Sequence, residues 1–332
     1  IITRTVPKSS NGIDIKHLCI GSEGILGVIT EVVVQVHHKP EKEDWYGWLF
    51  PDFTSGLDAI HECHRGDCMP TVTRLNDPKK TALSFAFKHP KTGIKDKIAK
   101  AFKWYIGNVK KIDFNKCCLM VVKYEGTPQA FNRIKKRVTA IYKKHRGVCL
   151  GAEPGRSFAK VKFDFPHLRD YVMDRSIMAD VSETATTWDN LRTLHESGLA
   201  DVEQAIKDTG VDAWVGCHLS HSYRTGASLY FTFGCLQREG REIEQYLYVK
   251  KAAEDAFMKN GGTLSHHHAV GTEHLPWVEE DLSPTGLKAV KALKAGLDPN
   301  DIMNPGKIIP SEKPLYDWGL SAEAIDEFQS RS

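Results

Sequence analysis

The chain has 332 residues, 41% of them apolar and 26% charged, with a formal net charge of +3. That length allows one large or two ordinary domains around a sizeable core, and the near-balanced charge excludes the broad basic field of a nucleic-acid binder. No apolar run reaches the roughly 20 residues of a membrane-spanning helix, and the eight cysteines lack the paired spacing of a metal knuckle, so they read as reduced thiols in a reducing compartment.

Ile1-Ile2-Thr3-Arg4-Thr5-Val6 reads as the middle of a longer sequence and predicts that the chain is a fragment. Three glycines follow in seven residues, Gly21-Ser22-Glu23-Gly24-Ile25-Leu26-Gly27, and then Val28-Ile29 and a β-branched strand predicted over Val32 to Val36. Such a turn lets the backbone approach a phosphate or a flavin closely. Leu57, Ile60 and Cys63 fall at helical spacing, as do Ile94, Ile98, Phe102 and Tyr105. Between them Arg74 stands in a β-branched run, aimed into a cleft or along a wet strand face. The basic runs Lys95 to Lys111 and Lys135 to Lys144 are interleaved with apolar residues and read as solvated helix faces.

Cys117 to Lys123 predicts a buried strand. Thr127-Pro128 then predicts a capped helix start, with Phe131, Ile134, Val138 and Ile141 on the inner face and Gly147 closing the element. Gly151 to Arg156 reads as a turn. Arg169 has the forked donors that suit a carboxylate or phosphate, and equally an ion pair with Asp170 or Asp174. In Ala227 to Phe233, period two puts Ser228, Tyr230 and Thr232 on a polar face and Leu229, Phe231 and Phe233 in the core. There the Tyr230 phenol can serve as an acid or base, or simply pack. A helix from Arg241 to Lys259 and a strand from Thr263 onward complete the rhythm. Two strand–helix units of this kind predict a ferredoxin-like α+β domain. Ser283-Pro284 opens a last helix with Leu287, Val290 and Leu293 facing inward, and residues beyond about Asp317 look peripheral.

The most distinctive stretch is Gly261-Gly262-Thr263-Leu264-Ser265-His266-His267-His268-Ala269-Val270-Gly271. Imidazoles titrate near neutrality and can donate, accept or ligate. Leu264, Ala269 and Val270 frame them with apolar residues, as in the lining of a cleft. On a strand, adjacent side chains alternate, so at most two of these histidines share one ion and a third ligand would have to come from elsewhere. The histidines are therefore assigned to polar lining, and no metal is assigned.

Glu23 to Ile29 closely resembles the second flavin-binding motif of FAD-linked oxidases of the vanillyl-alcohol oxidase type. The triple histidine, Glu183-Thr184 before Trp188-Asp189, and the overall match from Gly12 to Lys307 resemble the alkyldihydroxyacetonephosphate synthase family, in particular its bacterial-type members. Asp298 to Lys307 departs toward the generic oxidase ending, which animal synthases lack. The resemblance implies an α+β fold in three parts. Residues 1–40 are the end of a flavin-binding domain, 41–280 a ferredoxin-like cap with an antiparallel sheet and flanking helices, and 281–332 a helical return to the flavin domain.

The same resemblance implies FAD as cofactor, held by Glu23, Gly24, Ile25, Leu26, Gly27, Val28 and Ile29. It implies a redox-neutral exchange of the acyl group of acyl-dihydroxyacetone phosphate for a long-chain alcohol, the alternative being D-2-hydroxyacid dehydrogenation. Tyr230, His266, His267 and His268 match catalytic positions, and Arg169 and Arg74 match substrate-binding ones. A tyrosine with pKa about 10 needs nearby cations to act as a base. Lipid substrates bring with them an expected contact with a membrane surface and admit a homodimer. The expected location is cytoplasmic and membrane-associated, or peroxisomal in a eukaryote.

Overall fold

The computed structural model describes residues 1–86, 94–163 and 165–310. The region beyond Asp317 that the sequence marks as peripheral lies outside the described residues. Seven strands form one antiparallel sheet in the order β4-β1-β3-β2-β6-β7-β5.

The short helix α1 (Ile15–Cys19) precedes the sheet. The first half of the sheet is β1 (Lys42–Phe50), α2 (Phe53–Arg65), β2 (Val72–Asn76), β3 (Cys118–Gly126), α5 (Pro128–Lys144) and β4 (Val148–Gly151). Its strand order, β4-β1-β3-β2, is that of a ferredoxin-like unit. Helices α3 (Pro78–Ala86) and α4 (Ile94–Trp104) are inserted between β2 and β3. The second half follows α6 (Glu153–Val161) and α7 (Phe165–Met173). It comprises β5 (Ile177–Thr187), α8 (Leu191–Asp208), β6 (Trp214–Ser222), β7 (Gly226–Leu236) and α9 (Glu242–Lys259). The halves join where β2 pairs with β6. The C-terminal part adds α10 (Val278–Leu282) and α11 (Pro284–Leu297).

One core runs through both halves. Met120, Val122, Leu229, Phe231 and Phe233 on the sheet pack against Leu57, Ile60, Val138, Leu194, Val249 and Phe257 from α2, α5, α8 and α9. Each of these side chains contributes roughly 1.5–3 kcal/mol by leaving water. The helix starts follow the expected chemistry: Asp52 accepts from the Ser55 amide at 2.7 Å, and Thr127 from the Ala130 amide at 3.3 Å. Thr127→Ala should cost about 1 kcal/mol in urea denaturation; an unchanged midpoint would mean that the cap is not formed in solution.

Three local expectations are corrected. Glu153–Val161 is a helix where a turn is predicted, because Pro154 in the first turn is as compatible with a helix start as with a turn. Val32 to Val36 forms no strand, and its valines are exposed; a β-branched run becomes a strand only when another edge pairs with it. Most consequentially, the segment from Thr263 forms no strand. It leaves the second unit without a fourth strand among the described residues, and β5 is the last strand of the sheet.

Candidate active site

Strand register assembles the site. Glu183 on β5 pairs with Tyr230 on β7, Tyr230 with His218 on β6, and His218 with Asn76 on β2. Paired residues share a face, so these four stand in a row across the sheet, on the side opposite the Leu229–Phe233 core. This is the polar face predicted for Tyr230, extended over four strands.

The histidine loop docks at the β5 end of that row. The Thr263 amide donates to the Ala185 carbonyl at 3.0 Å, as the first rung of a missing strand would. The loop then turns to the buried Glu183 carboxylate. Glu183 Oε1 accepts from the backbone amides of His266 (2.7 Å), His267 (2.7 Å) and His268 (3.0 Å), and from the Ser265 hydroxyl (2.9 Å). Successive amides wrapped on one anion are incompatible with a paired strand, which is why the predicted strand does not form. Burial raises the Glu183 carboxyl, but the amides of His267, His266 and His268 together hold it below its ordinary value. Gly262 is needed where the loop enters, because a Cβ there would lie 2.4 Å from Thr184 Oγ1.

Tyr230 faces this loop. Its ring centroid lies 5.1 Å from that of His268, 6.0 Å from His267 and 4.8 Å from His218. Burial raises the phenol above 10.0, against the opposing pull of Arg74. Tyr230 is thus a proton donor at neutral pH. Arg74 and Lys250 are the cations that pull it down, and burial prevails over both.

Two groups beneath Tyr230 were not singled out from the sequence. Lys80 on α3 is buried and donates from Nζ to His218 Nδ1 (2.8 Å) and Thr232 Oγ1 (2.6 Å), 5.3 Å from the Tyr230 ring centre. Burial, aided by Arg74, lowers its amine to about 7. His218 is pushed well below its ordinary value, first by burial and then by Arg74 and Lys80, so its imidazole is neutral. The unfolded lysine ionises near 10.5 and the folded one near 7. Between those values the unfolded chain binds more protons, so stability rises with pH across the window. Lys80→Met should lose that rise in a denaturation series; an equal slope in the variant would contradict the assignment.

Of the arginines, Arg74 is the one beside the phenol. Burial lowers it to about 10, still cationic at neutrality, and it lies over the Phe158 ring at 5.3 Å. Arg169 is exposed on α7, and the contacts of Tyr230 and the histidines described above do not include it. Glu183, Lys80 and His218 carry little signal in one sequence. A carboxylate within a β-branched strand was visible as part of the Glu183-Thr184 string, but its partners are about eighty residues away. Lys80 reads as one more helix-surface lysine.

The glycine-rich segment lies next to the same loop. The Glu23 carboxylate accepts from the Val270 amide (2.7 Å) and the Gly271 amide (2.8 Å). The Glu23 carbonyl accepts from the Asn304 side chain, and Gly24 packs on Asn304. Ile25 is buried, bordering a cavity with Lys294, Asp298 and Pro305. So 21–27, the histidine loop and 298–307 are mutually tied.

Residues 39–308 match the family described as FAD linked oxidases, C-terminal domain. The chain belongs to that family. Its relatives include alkyldihydroxyacetonephosphate synthase of Dictyostelium discoideum, 37% identical over 93% of this chain and 51% of that protein. The synthase of Trypanosoma brucei brucei is 36% identical over 90% of this chain and 49% of that protein. A solved alkyldihydroxyacetonephosphate synthase superposes with a TM-score of 0.71 at 34% identity, covering 90% of this chain and 51% of its own. The chain thus spans about half the length of the curated relatives it matches.

FAD is the cofactor of these FAD-linked oxidases, and the residues present fit it. Gly27 has open space where a Cβ would be, and Val28 and Ile29 are exposed beside it. These three, with Leu26 half-buried, leave backbone and apolar surface for the cofactor. The side chains of Glu23 and Ile25 are turned inward and shape the segment instead.

Proposed function

We propose that this chain carries the substrate-facing part of an FAD-dependent alkylglycerone-phosphate synthase, exchanging the acyl group of acyl-dihydroxyacetone phosphate for a long-chain alcohol in ether-lipid synthesis. The observation that carries this reading is the convergence of Tyr230 with His266, His267 and His268 on a loop tied to the flavin motif through Glu23. FAD, when bound, supplies the ring chemistry. The chain's own residues position the substrate and move its proton.

Tyr230, protonated at neutrality, donates to the substrate and is re-protonated from the neighbouring imidazoles. Arg74 holds the phosphate as a half-buried cation, and Arg169 is assigned a second contact with it from the family resemblance. Lipid substrates make a membrane surface and a cytoplasmic or peroxisomal setting the natural context, and a homodimer the assembly to look for.

Incubating the flavin-loaded enzyme with acyl-dihydroxyacetone phosphate and hexadecanol should give the ether product and free fatty acid. Absence of the ether, with flavin bleaching on a D-2-hydroxy acid, would identify a dehydrogenase instead.

A further inference from the structure

Glu183 uses its two oxygens unequally. Oε1 accepts four hydrogen bonds, whereas the buried Oε2 has no hydrogen-bond partner. Oε2 lies 3.3 Å from His267 Nδ1 and 3.8 Å from His266 Nδ1. The two Nδ1 atoms are themselves 3.1 Å apart. Ligands about 2.0–2.1 Å from a tetrahedral ion lie roughly 3.3 Å from one another, so the two Nδ1 atoms are spaced as two ligands of one ion, with the Glu183 carboxylate beside them.

His221 on β6 supplies the next corner. The ring centroids of His221, His266 and His267 are 5.3, 5.1 and 5.3 Å apart. That near-equilateral triangle is the arrangement of three imidazoles around one ion, whose ring centres lie roughly 5 Å apart at those bond lengths. The ligand atoms of the three histidines all fall within 4.8 Å of one another. Their other nitrogens are oriented from outside: His266 Nε2 by the Tyr223 hydroxyl at 2.7 Å, and His221 Nδ1 by Ser220 Oγ at 3.1 Å. Such outer partners fix the tautomer of a metal-binding histidine.

We infer that His221, His266 and His267 form a binding site for a divalent transition-metal ion of the zinc class, with the Glu183 carboxylate beside it. Three imidazoles suit a borderline cation in tetrahedral geometry, with the fourth position open to water. The ion would also compensate the buried charge of Glu183, whose Oε1 is held by three amides and the Ser265 hydroxyl. The site does not depend on the proposed reaction, and it leaves Tyr230 and His268 unligated. The third ligand that the sequence could not supply comes from a strand more than forty residues upstream.

The test is cobalt binding to the chelator-treated full protein, read by visible absorption. A single Co2+ should give the intense bands of a tetrahedral nitrogen–oxygen site, and Zn2+ should abolish them by displacement. His221→Gln and His266→Gln should each weaken Co2+ binding at least about tenfold, whereas His268→Gln should not. His221 is exposed, so its replacement spares the core; Tyr223→Phe, which removes only an outer hydroxyl, should shift the bands as a second readout. No visible bands at millimolar Co2+, or bands unchanged in His221→Gln and His266→Gln, would overturn the site.

Discussion

Tyr230→Phe is expected to lower turnover of the flavin-loaded enzyme by at least about a hundredfold while leaving flavin binding unchanged. The substitution keeps the ring and removes one hydroxyl, so the ring's packing against His267, His268 and His218 persists. The large effect follows from position and charge state. Strand alternation puts the phenol on the polar face, beside Glu183 and His218 in the register, and burial keeps it protonated at neutral pH despite Arg74. It is thus a loaded proton donor over which a substrate can lie. Steady-state rates beside flavin absorbance provide the check, and near-normal turnover would remove Tyr230 from the proton path.

Glu183→Ala should destabilise the fold by about 3 kcal/mol or more and release the histidine loop. The variant leaves three backbone amides and the Ser265 hydroxyl without their acceptor in a partly buried setting, and each abandoned donor carries a desolvation cost of roughly 1 kcal/mol or more. Glu183→Gln keeps an acceptor oxygen and should lose less. Urea denaturation measures the first effect; amide hydrogen exchange at His266, His267 and His268 measures the second. Wild-type stability and protection in Glu183→Ala would show that the loop is held by something other than this carboxylate.

Period and capping made most of the fold legible. The α5 cap at Thr127, the α9 helix, and the two faces of β7 were all readable, because each depends on residues within one turn or one strand. The joining of the two halves through β2 and β6 was not, because it links residues more than 140 positions apart. The histidine loop was not, since its shape is dictated by Glu183, 83 residues from His266. From Thr263 onward the local pattern favours a strand, and a distant carboxylate outcompetes the β5 edge for its amides. Val32 to Val36 shows the converse, a strand-forming composition that pairs with no edge among the described residues.

Among the site residues, Tyr230 and the histidines do meet, while the guanidinium at the phenol is Arg74 and not the exposed Arg169. Both arginines looked equivalent in sequence because each is a lone cation in a mixed segment. Only the pairing of β2 with β6 separates them. Lys80 was invisible for a related reason: burial of a helical lysine is decided by the sheet it lands on.

The proposed redox-neutral exchange at the Tyr230–histidine site is tested most directly by the flavin's own visible band. With acyl-dihydroxyacetone phosphate and hexadecanol, and without oxygen or any electron acceptor, the enzyme should form ether product over many turnovers and end with its flavin oxidised. Turnover that stops after one equivalent, with the flavin bleached until an acceptor is added, would contradict it.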